Sequence, residues 1–201
     1  MEQIGAKLCV LIPAYNEEGC IKDTVLAIHS TLSEYHINHE ILVVNDNSTD
    51  NTLSHLDSLS KCVNSLRYIT SEYENGFGNA VRYGLDNWQG DIVVIVMGDQ
   101  SDEPYDIVKF YLAMEVENVD CVFGNRFIKG GTANDYPFFK LCLNRMVNTI
   151  LMFIIDPEYN DYTNAFKMYK RKVIECIAPL KSNDFSLTIE IPLKAIKNKF
   201  T

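Results

Sequence analysis

The fold follows from one stretch of the sequence, Asp91-Ile-Val-Val-Ile-Val-Met-Gly-Asp99-Gln-Ser-Asp102-Glu-Pro104. Its six residues from Ile92 to Met97 are apolar and mostly β-branched, and no polar residue alternates with them. This pattern is typical of a strand that is buried on both faces, as strands at the centre of a parallel sheet are. We therefore expect a parallel or mostly parallel sheet with this strand in its interior.

Acidic residues follow the apolar run: Asp99, Asp102 and Glu103 come directly after Gly98 or a few residues later. Ligands of open α/β sheets bind at the carboxyl ends of the strands, and like charges this close repel each other unless a cation lies between them. Carboxylate oxygens suit Mg²⁺ or Mn²⁺, which bridge a carboxylate to substrate phosphates. Asp99 is the better metal candidate. Asp102 and Glu103 are explained equally well as caps of a helix that begins at Pro104.

The composition excludes several classes of protein. With 201 residues, 47% of them hydrophobic and 22% charged, the chain is long enough for one domain with a sizeable core. The net charge of −9 argues against a nucleic-acid partner, because phosphate backbones require an excess of Lys and Arg. The six cysteines are scattered without a C-x-x-C pair, which is typical of a reducing compartment. Since we find neither a signal peptide nor a bilayer-spanning apolar run, we expect a soluble or peripheral protein in the cytoplasm.

Strand and helix patterns alternate along the first 125 residues. Such a βαβα order predicts a mostly parallel sheet with helices on both faces, and therefore an α/β fold. The strands expected besides the central one are Leu8–Ile12, Ile41–Val44, Leu66–Ile69 and Cys121–Phe123, with helices after Asn16, near Leu53, at Gly76 and at Pro104. A further strand is expected at Ala165–Tyr169, followed by two helical patterns.

The loops argue against three common kinds of nucleotide site. No G-x-x-x-x-G-K-[ST] motif is present, so the chain has no P-loop. The Gly76-Phe-Gly78 segment lacks the third glycine of a dinucleotide-binding Rossmann motif. The loop after the first strand reads Pro13-Ala-Tyr15-Asn-Glu17-Glu, which differs from the glycine-rich basic loop of sugar nucleotidylyltransferases.

Six segments carry a resemblance to a known family: Ile12–Glu17, Val43–Asp50, Gly76–Ala80, Asp99–Pro104, Gly124–Phe127 and Asp161–Phe166. In this order they resemble family 2 glycosyltransferases with the Rossmann-like GT-A fold. The last three are similar to the polyprenyl-phosphate branch, the dolichyl-phosphate mannose or glucose synthases. The resemblance implies one catalytic domain over residues 1–201. Its nucleotide-sugar half would cover about residues 1–125, and an acceptor-side C-terminal extension about residues 126–201.

The resemblance also implies a nucleotide pocket. Its base and ribose wall would come from the loop after the first strand, and an aspartate after the second strand would hold the nucleoside. The glycines at 76 and 78 would allow close backbone approach beside the nucleotide. Simpler alternatives remain open: a helix start for the tyrosine and the glutamate, an Asx turn for the aspartate, and ordinary helix-start positions for the two glycines. The implied nucleotide-binding residues are Pro13, Tyr15, Glu17, Asp46, Gly76, Gly98 and Asp99.

The D-x-D metal motif of the family is only partly present. When the sequence is aligned on Ser101, the motif reads Met97-Gly98-Asp99, so only the second acid is retained. Asn45 likewise replaces the first acid of the usual Asp-Asp-Gly-Ser loop. The implied cofactor is Mg²⁺ or Mn²⁺, held by Asp99 and completed by Gln100 and phosphate oxygens. One carboxylate plus a diphosphate is a common magnesium arrangement.

The implied reaction moves a hexose from a nucleotide diphosphate sugar to a polyprenyl phosphate, with inversion at the anomeric carbon. Because a phosphate acceptor is already an anion, the site needs cationic groups more than it needs a strong base. Asp99, Arg126, Asp161 and Glu190 are the catalytic candidates, with Asn164 shaping the acceptor end. For Glu190, an ion pair with Lys194 is the alternative. The acceptor-phosphate candidates are Arg126, Lys140, Asn144 and Arg145; Lys140 and Arg145 could instead be solvated helix residues.

The segment Tyr136–Ile155 combines large apolar residues with Lys140 and Arg145. Such a segment suits a helix at a membrane interface that grips a lipid phosphate, although a core helix packed on the sheet would look similar. We therefore expect peripheral contact with the cytoplasmic face of a membrane. Family catalytic domains continue beyond the helix that holds Glu190, so we also expect a missing C-terminal segment or a membrane-embedded partner.

Two other functions remain open at this stage. The first is transfer to a saccharide hydroxyl in cell-surface polysaccharide synthesis, which would require a carboxylate base such as Asp161 or Glu190. The second is an inactive nucleotide-sugar-binding subunit, which the incomplete metal motif favours and the intact remaining loops argue against.

Overall fold

The computed structural model describes residues 5–126, 145–149, 152–153, 159 and 161–201. Lys140 and Asn144 lie outside these residues, as does most of the segment Tyr136–Ile155. In the described part of the chain, no helix is long and apolar enough to cross a membrane.

A six-stranded sheet forms the centre of the molecule, with the strand order β3-β2-β1-β4-β6-β5. Strands β1 to β4 run parallel, and β6 is antiparallel to both of its neighbours, β4 and β5. The mostly parallel sheet expected from the sequence is therefore confirmed. The strands are β1 Leu8–Ala14, β2 His39–Asn45, β3 Leu66–Thr70, β4 Ile92–Ile95, β5 Cys121–Phe123 and β6 Lys167–Lys170.

Helices cover both faces of this sheet. Along β1, Leu8, Val10 and Ile12 face one apolar cluster, while Cys9 and Leu11 face the other. Both clusters are buried, so the strand shows no polar alternation. The helices are α1 Ile21–Glu34, α2 Thr52–Ser60, α3 Phe77–Asn87, α4 Pro104–Glu117, α5 Arg171–Ile177 and α6 Leu187–Lys197. The first cluster includes residues of α1, α2 and α4, and the second includes residues of α3, α5 and α6.

Strand β4 lies between β1 and β6, as its buried pattern predicts, but it is shorter than the apolar run. The Val96 N–H still donates to the Leu11 carbonyl at 3.0 Å. The next amide, that of Met97, donates instead to the Asp102 carboxylate at 2.9 Å. The chain therefore leaves the sheet where this acidic loop begins.

Candidate active site

The loops that follow β1 and β2 are joined by side-chain hydrogen bonds. The Asn16 N–H donates to Ser48 Oγ at 3.0 Å, and Asn16 Oδ1 accepts from the Thr49 N–H at 2.8 Å. The Glu17 N–H donates to Thr52 Oγ1 at 2.8 Å. Asn16 adopts a left-handed conformation with φ of 56°, which asparagine tolerates better than most residues. The two loops thus form one rigid wall at the carboxyl ends of the parallel strands.

Asp46 is a buried polar residue of this wall. Its Oδ2 accepts a hydrogen bond from the Gly76 N–H at 2.8 Å. Its Oδ1 is buried and has no hydrogen-bond partner among the described residues. Burial raises the pKa of Asp46, although the Gly76 N–H acts to lower it. A buried, unpaired acceptor is costly, so this oxygen is well suited to receive a donor from a ligand.

Glu17, Gly98 and Asp99 come together beside the end of β4. A Cβ atom on Gly98 would lie 3.3 Å from Glu17 Cγ, so the glutamate side chain packs directly over the glycine. Burial, followed by the negative charges of Asp99 and Asp50, raises the pKa of Glu17. Three acids from three different loops therefore repel one another at the place where the sequence predicts a cation.

Asp102 does not cap the following helix. The N-cap residue of α4 is Glu103, which makes no side-chain capping hydrogen bond, and the Asp102 carboxylate turns back to the Met97 N–H. Burial raises the pKa of Asp102 to about 6; the Met97 N–H and Arg126 act to lower it, while Asp99 acts to raise it. The capping alternative is therefore wrong for both acids. The charges of both Asp99 and Arg126 act on Asp102.

The residues present fit a divalent cation that the substrate helps to bind. No group of three His, Cys, Asp or Glu side chains able to hold a metal ion occurs within the described ranges. Asp99 is exposed, and its Oδ1 accepts from the Ser101 N–H at 3.0 Å. The Gln100 side chain is also exposed, with its amide nitrogen 3.5 Å from the Cys20 carbonyl. Mg²⁺ is often held by one or two carboxylates plus substrate phosphates, which is the donor set that Asp99 and a diphosphate would supply.

Arg126 and Asp161 form a buried ion pair on the other side of the site. The guanidinium binds the carboxylate twice, through Nε to Oδ2 at 2.9 Å and through a terminal nitrogen to Oδ1 at 2.7 Å. The Arg126 N–H also donates to Oδ2 at 2.9 Å. Asp161 is fully buried, whereas 25% of the Arg126 side chain is exposed. Asp161 therefore orients Arg126, whose side chain is partly exposed.

The turn that carries Asp161 is held by the helical residues 145–149. Asn148 is fully buried, and its side chain donates to Thr163 Oγ1 at 3.0 Å and accepts from the Thr163 N–H at 3.2 Å. Thr163 Oγ1 also accepts a hydrogen bond from Arg126 at 3.3 Å. Arg145, an expected acceptor-phosphate residue, is exposed on the same helical segment.

Glu190 binds the backbone of the loop that precedes its own helix. Its carboxylate accepts from the N–H groups of Lys181 and Ser182 at 2.7 to 3.1 Å and pairs with Lys194 at 2.8 Å. Burial acts to raise the pKa of Glu190, but these hydrogen bonds outweigh it and lower the pKa to about 2. The ion pair with Lys194, left open as the alternative, is what the structure shows. Direct contact of Glu190 with the sugar stays a prediction.

The glycines at the start of α3 serve this same loop. A Cβ atom on Gly78 would lie 2.6 to 2.7 Å from backbone atoms of Asn183 and Asp184. Gly76 has φ of 151°, and a Cβ atom there would lie 2.6 Å from the Asn183 carbonyl oxygen. The close backbone approach predicted beside a nucleotide is therefore made to the loop after α5, and Gly76 reaches the pocket through its bond to Asp46.

Glu190→Gln is expected to lower the free energy of unfolding at neutral pH, because the lost carboxylate leaves the N–H groups of Lys181 and Ser182 with a weaker acceptor. The folded pKa of about 2 lies below the usual value of 4.5. The stabilisation is therefore present above about pH 4.5 and is lost as the pH falls towards 2. Urea unfolding at pH 7 and pH 3 should show the difference between the two proteins shrinking. Glu175→Gln, in an exposed pair with Arg171, is the control; equal losses at both pH values would contradict the assignment.

The sequence matches a family profile over most of its length. The profile described as Glycosyl transferase family 2 matches residues 9–178. The chain belongs to this family. The family resemblance predicted from the six segments is thereby confirmed, and the chain is a glycosyltransferase of family 2.

Two curated relatives are both synthases of lipid-phosphate sugars. The chain is 29% identical to the polyprenol monophosphomannose synthase of Mycolicibacterium smegmatis, over 96% of this chain and 73% of that protein. It is also 29% identical to the dolichol-phosphate mannosyltransferase of Pyrococcus furiosus, over 96% of this chain and 54% of that protein. This family 2 chain therefore spans about half the length of the second relative.

A solved structure shows the same fold. Glucosyl-3-phosphoglycerate synthase of Mycobacterium tuberculosis, in complex with Mn²⁺, uridine diphosphate and phosphoglyceric acid, has a TM-score of 0.72 and 20% identity. The match covers 96% of this chain and 65% of that one. The expected GT-A architecture is thus confirmed.

Several residues of this site were not predicted from the sequence. Asn148 and Thr163 hold the Asp161 turn, and Lys167 lies beneath it. Asn148 is joined to the turn only by tertiary contacts and leaves no local pattern, whereas Thr163 lies in the family segment Asp161–Phe166 without its contacts being foreseeable. Lys167 does leave a signal, because it is a lysine inside the otherwise apolar strand run Ala165-Phe-Lys-Met-Tyr169.

Proposed function

We propose that this glycosyltransferase moves a hexose from a nucleotide diphosphate sugar, of the GDP-mannose or UDP-glucose type, to a polyprenyl phosphate, with inversion. The observation that carries the proposal is that the two relatives described above, a polyprenol monophosphomannose synthase and a dolichol-phosphate mannosyltransferase, align over 96% of this chain. One catalytic domain would cover residues 1–201, with the donor bound by about residues 1–125 and the acceptor by about residues 126–201.

The donor would bind at the wall formed by the β1 and β2 loops. Tyr15 is 51% exposed and available for contact with the base or ribose, together with Pro13 and Glu17. The unpaired Oδ1 of Asp46 would accept a hydrogen bond from the nucleoside. The diphosphate would then lie beside Asp99, next to the Glu17 side chain that packs over Gly98.

A divalent cation, Mg²⁺ or Mn²⁺, would offset the charge that develops on the leaving diphosphate when it is bound. Asp99 would hold the cation, and Glu17 and Gln100 lie close enough in the fold to adjust its surroundings. The repulsion among Glu17, Asp99 and Asp50 supports this placement, because a cation would relieve it.

Arg126 would hold a phosphate of the acceptor, with Lys140, Asn144 and Arg145 as further candidates. Asp161 holds the guanidinium in a fixed direction before the substrate binds. The guanidinium therefore does not need to reorient during the reaction, which favours catalysis by preorganised charge. A lipid acceptor would require peripheral contact with a membrane surface, which the residues 136–155 are proposed to make.

The geometry supports a phosphate acceptor over a saccharide hydroxyl. Transfer to a hydroxyl needs a carboxylate base whose pKa lies near the working pH. Asp161 is bound to Arg126 through three hydrogen bonds, and the pKa of Glu190 is lowered to about 2. Asp161 and Glu190 are therefore already bound to cationic side chains and backbone amides, which makes them poor bases. An anionic acceptor needs no such base.

A binding subunit without activity is the second candidate, favoured by the single acid in the D-x-D position. A transfer assay with radiolabelled sugar nucleotides separates the two functions. An active enzyme releases nucleotide and passes the label to polyprenyl phosphate in the presence of Mg²⁺ or Mn²⁺. Metal-dependent binding of the nucleotide sugar without any release would support the inactive subunit instead.

Asp46→Ala and Tyr15→Ala are each expected to weaken nucleoside diphosphate binding by about 1–3 kcal/mol, the cost of a lost buried polar contact or aromatic contact. Isothermal titration calorimetry with UDP and GDP measures the loss. Tyr35→Ala, a similarly exposed tyrosine at the end of α1, is the control and should bind normally. Unchanged affinity in both pocket variants would move the nucleoside site elsewhere.

A further inference from the structure

Lys167, the first residue of β6, has its ammonium group inside the protein. Only 1% of the residue is exposed. Nζ donates to the carbonyl oxygens of Tyr162 at 3.0 Å and Thr188 at 3.2 Å, and also to that of Asn164. Within the described part of the chain, no carboxylate accepts a hydrogen bond from it. Burial lowers the pKa of Lys167 to about 7, with Asp161 acting to raise it and Arg126 to lower it.

The Thr188 carbonyl has no N–H donor at the usual helical position, because that position is a proline. In α6 the Thr188 carbonyl should accept from the amide of residue 192, four positions later. That residue is Pro192, which has no N–H to donate. The Lys167 ammonium therefore replaces the missing helical hydrogen bond, and this is its structural role.

The other two carbonyls belong to the turn that grips Arg126. Tyr162 and Asn164 flank Thr163, whose hydroxyl contacts Arg126, and they follow Asp161, which binds Arg126 twice through the guanidinium. By holding the backbone on both sides of Thr163, the ammonium fixes the positions of both groups that orient the guanidinium. An apolar side chain would fill the same volume at a lower desolvation cost, yet it would supply no donor to this turn.

We propose that Lys167 is a positioning residue for phosphate binding by Arg126, acting through the turn of residues 161–164. The proposal rests on the proposed function, in which Arg126 holds the acceptor phosphate. It links α6 to the acceptor end of the site, because the same ammonium bonds both the helix and the turn.

The structural and positioning roles can be separated with Pro192→Ala. This substitution restores an amide donor to the Thr188 carbonyl, so the helix no longer depends on Lys167. In the Pro192→Ala background, Lys167→Met is expected to lose less thermal stability than Lys167→Met alone does, because only the Tyr162 and Asn164 carbonyls then lose their donor. It should still raise the KM for a short-chain polyprenyl phosphate by about tenfold or more, since small misplacement of a binding group is costly. The Kd for the nucleotide sugar should stay unchanged. Lys170→Met is the matched control on the same strand, because Lys170 donates to Asn118 at the surface.

A spectroscopic readout keeps the inference separate from the proposed function. The NMR resonance of the Arg126 Nε–H is identified by its absence in Arg126→Lys. It should shift between Pro192→Ala and the Lys167→Met, Pro192→Ala protein, and it should not shift between the wild-type protein and Lys170→Met. If the wild-type enzyme does not use polyprenyl phosphate, the proposed function fails, and the resonance still decides the role of Lys167. If the methionine variant does not fold, Lys167→Gln, which keeps a smaller donor, is measured in the same way. An unshifted resonance, or an acceptor KM that returns to the parent value once Pro192→Ala restores stability, would overturn the inference.

Discussion

Asp99→Ala is expected to abolish metal-dependent binding of the nucleotide sugar while leaving the fold intact. Asp99 is exposed at the end of β4, so its loss removes no buried contact. It is also the only acid retained in the D-x-D position, and its charge acts on both Glu17 and Asp102. Calorimetric titration of the nucleotide sugar with and without MgCl₂ or MnCl₂ measures the effect directly.

Two further variants serve as controls for the Asp99→Ala experiment. Asp106→Ala removes a nearby acid that pairs with Lys109 on the surface of α4, and metal-dependent binding should survive it. Asp102→Ala should affect the metal less than Asp99→Ala does, because its carboxylate is already bound to the Met97 N–H. Full metal-dependent affinity in Asp99→Ala would show that the cation is held elsewhere.

Asp161→Asn is expected to have the largest effect on stability, about 3–5 kcal/mol, which is typical when one partner of a buried ion pair is removed. One of the two carboxylate oxygens that accept from Arg126 would become an amide N–H₂, which donates hydrogen bonds and cannot accept one from the guanidinium. The Arg126 charge would then remain partly buried without its counter-ion. Urea denaturation at pH 7 gives the free energy of unfolding of both proteins.

The matched control for Asp161→Asn is Asp57→Asn. Asp57 pairs with Lys61 at 2.7 Å, the same closest distance as in the Arg126–Asp161 pair, but both side chains are more than half exposed. Solvent screens such a pair, so only a small change in stability is expected. Comparable losses in the two variants would mean that burial does not decide the strength of the Arg126–Asp161 pair.

The parallel part of the fold could be predicted because each of its strands has a recognisable local sequence pattern. The apolar runs of β1, β2 and β4 are continuous, since both faces of each strand are buried. The position of β6 could not be predicted in the same way. Its antiparallel insertion between β4 and β5 depends on pairing with Ile92–Ile95, more than 70 residues earlier in the chain, and nothing local in the strand encodes that partner.

The site residues also fall into two groups, those with a local sequence signal and those joined only by tertiary contacts. Asp99 was predicted as a metal ligand because it follows a buried apolar run, at the edge of the sheet where ligands bind. Asp46 was predicted as a nucleoside ligand because the family resemblance implies it. The pairing of Arg126 with Asp161 joins residues 35 positions apart, so the sequence named both without linking them. Gly76 and Gly78 were correctly identified as points of close approach, but the neighbour is the loop at Asn183 and Asp184. A glycine shows that something comes near and not what it is.

Acceptor choice is the most direct test of the proposed function. The purified chain would be given radiolabelled GDP-mannose or UDP-glucose, a divalent cation, and either a short-chain polyprenyl phosphate or a simple sugar alcohol at equal concentration. We expect the label to appear in the organic-extractable polyprenyl product, with little transfer to the sugar alcohol. Equal or preferential transfer to the hydroxyl acceptor would contradict a polyprenyl-phosphate acceptor.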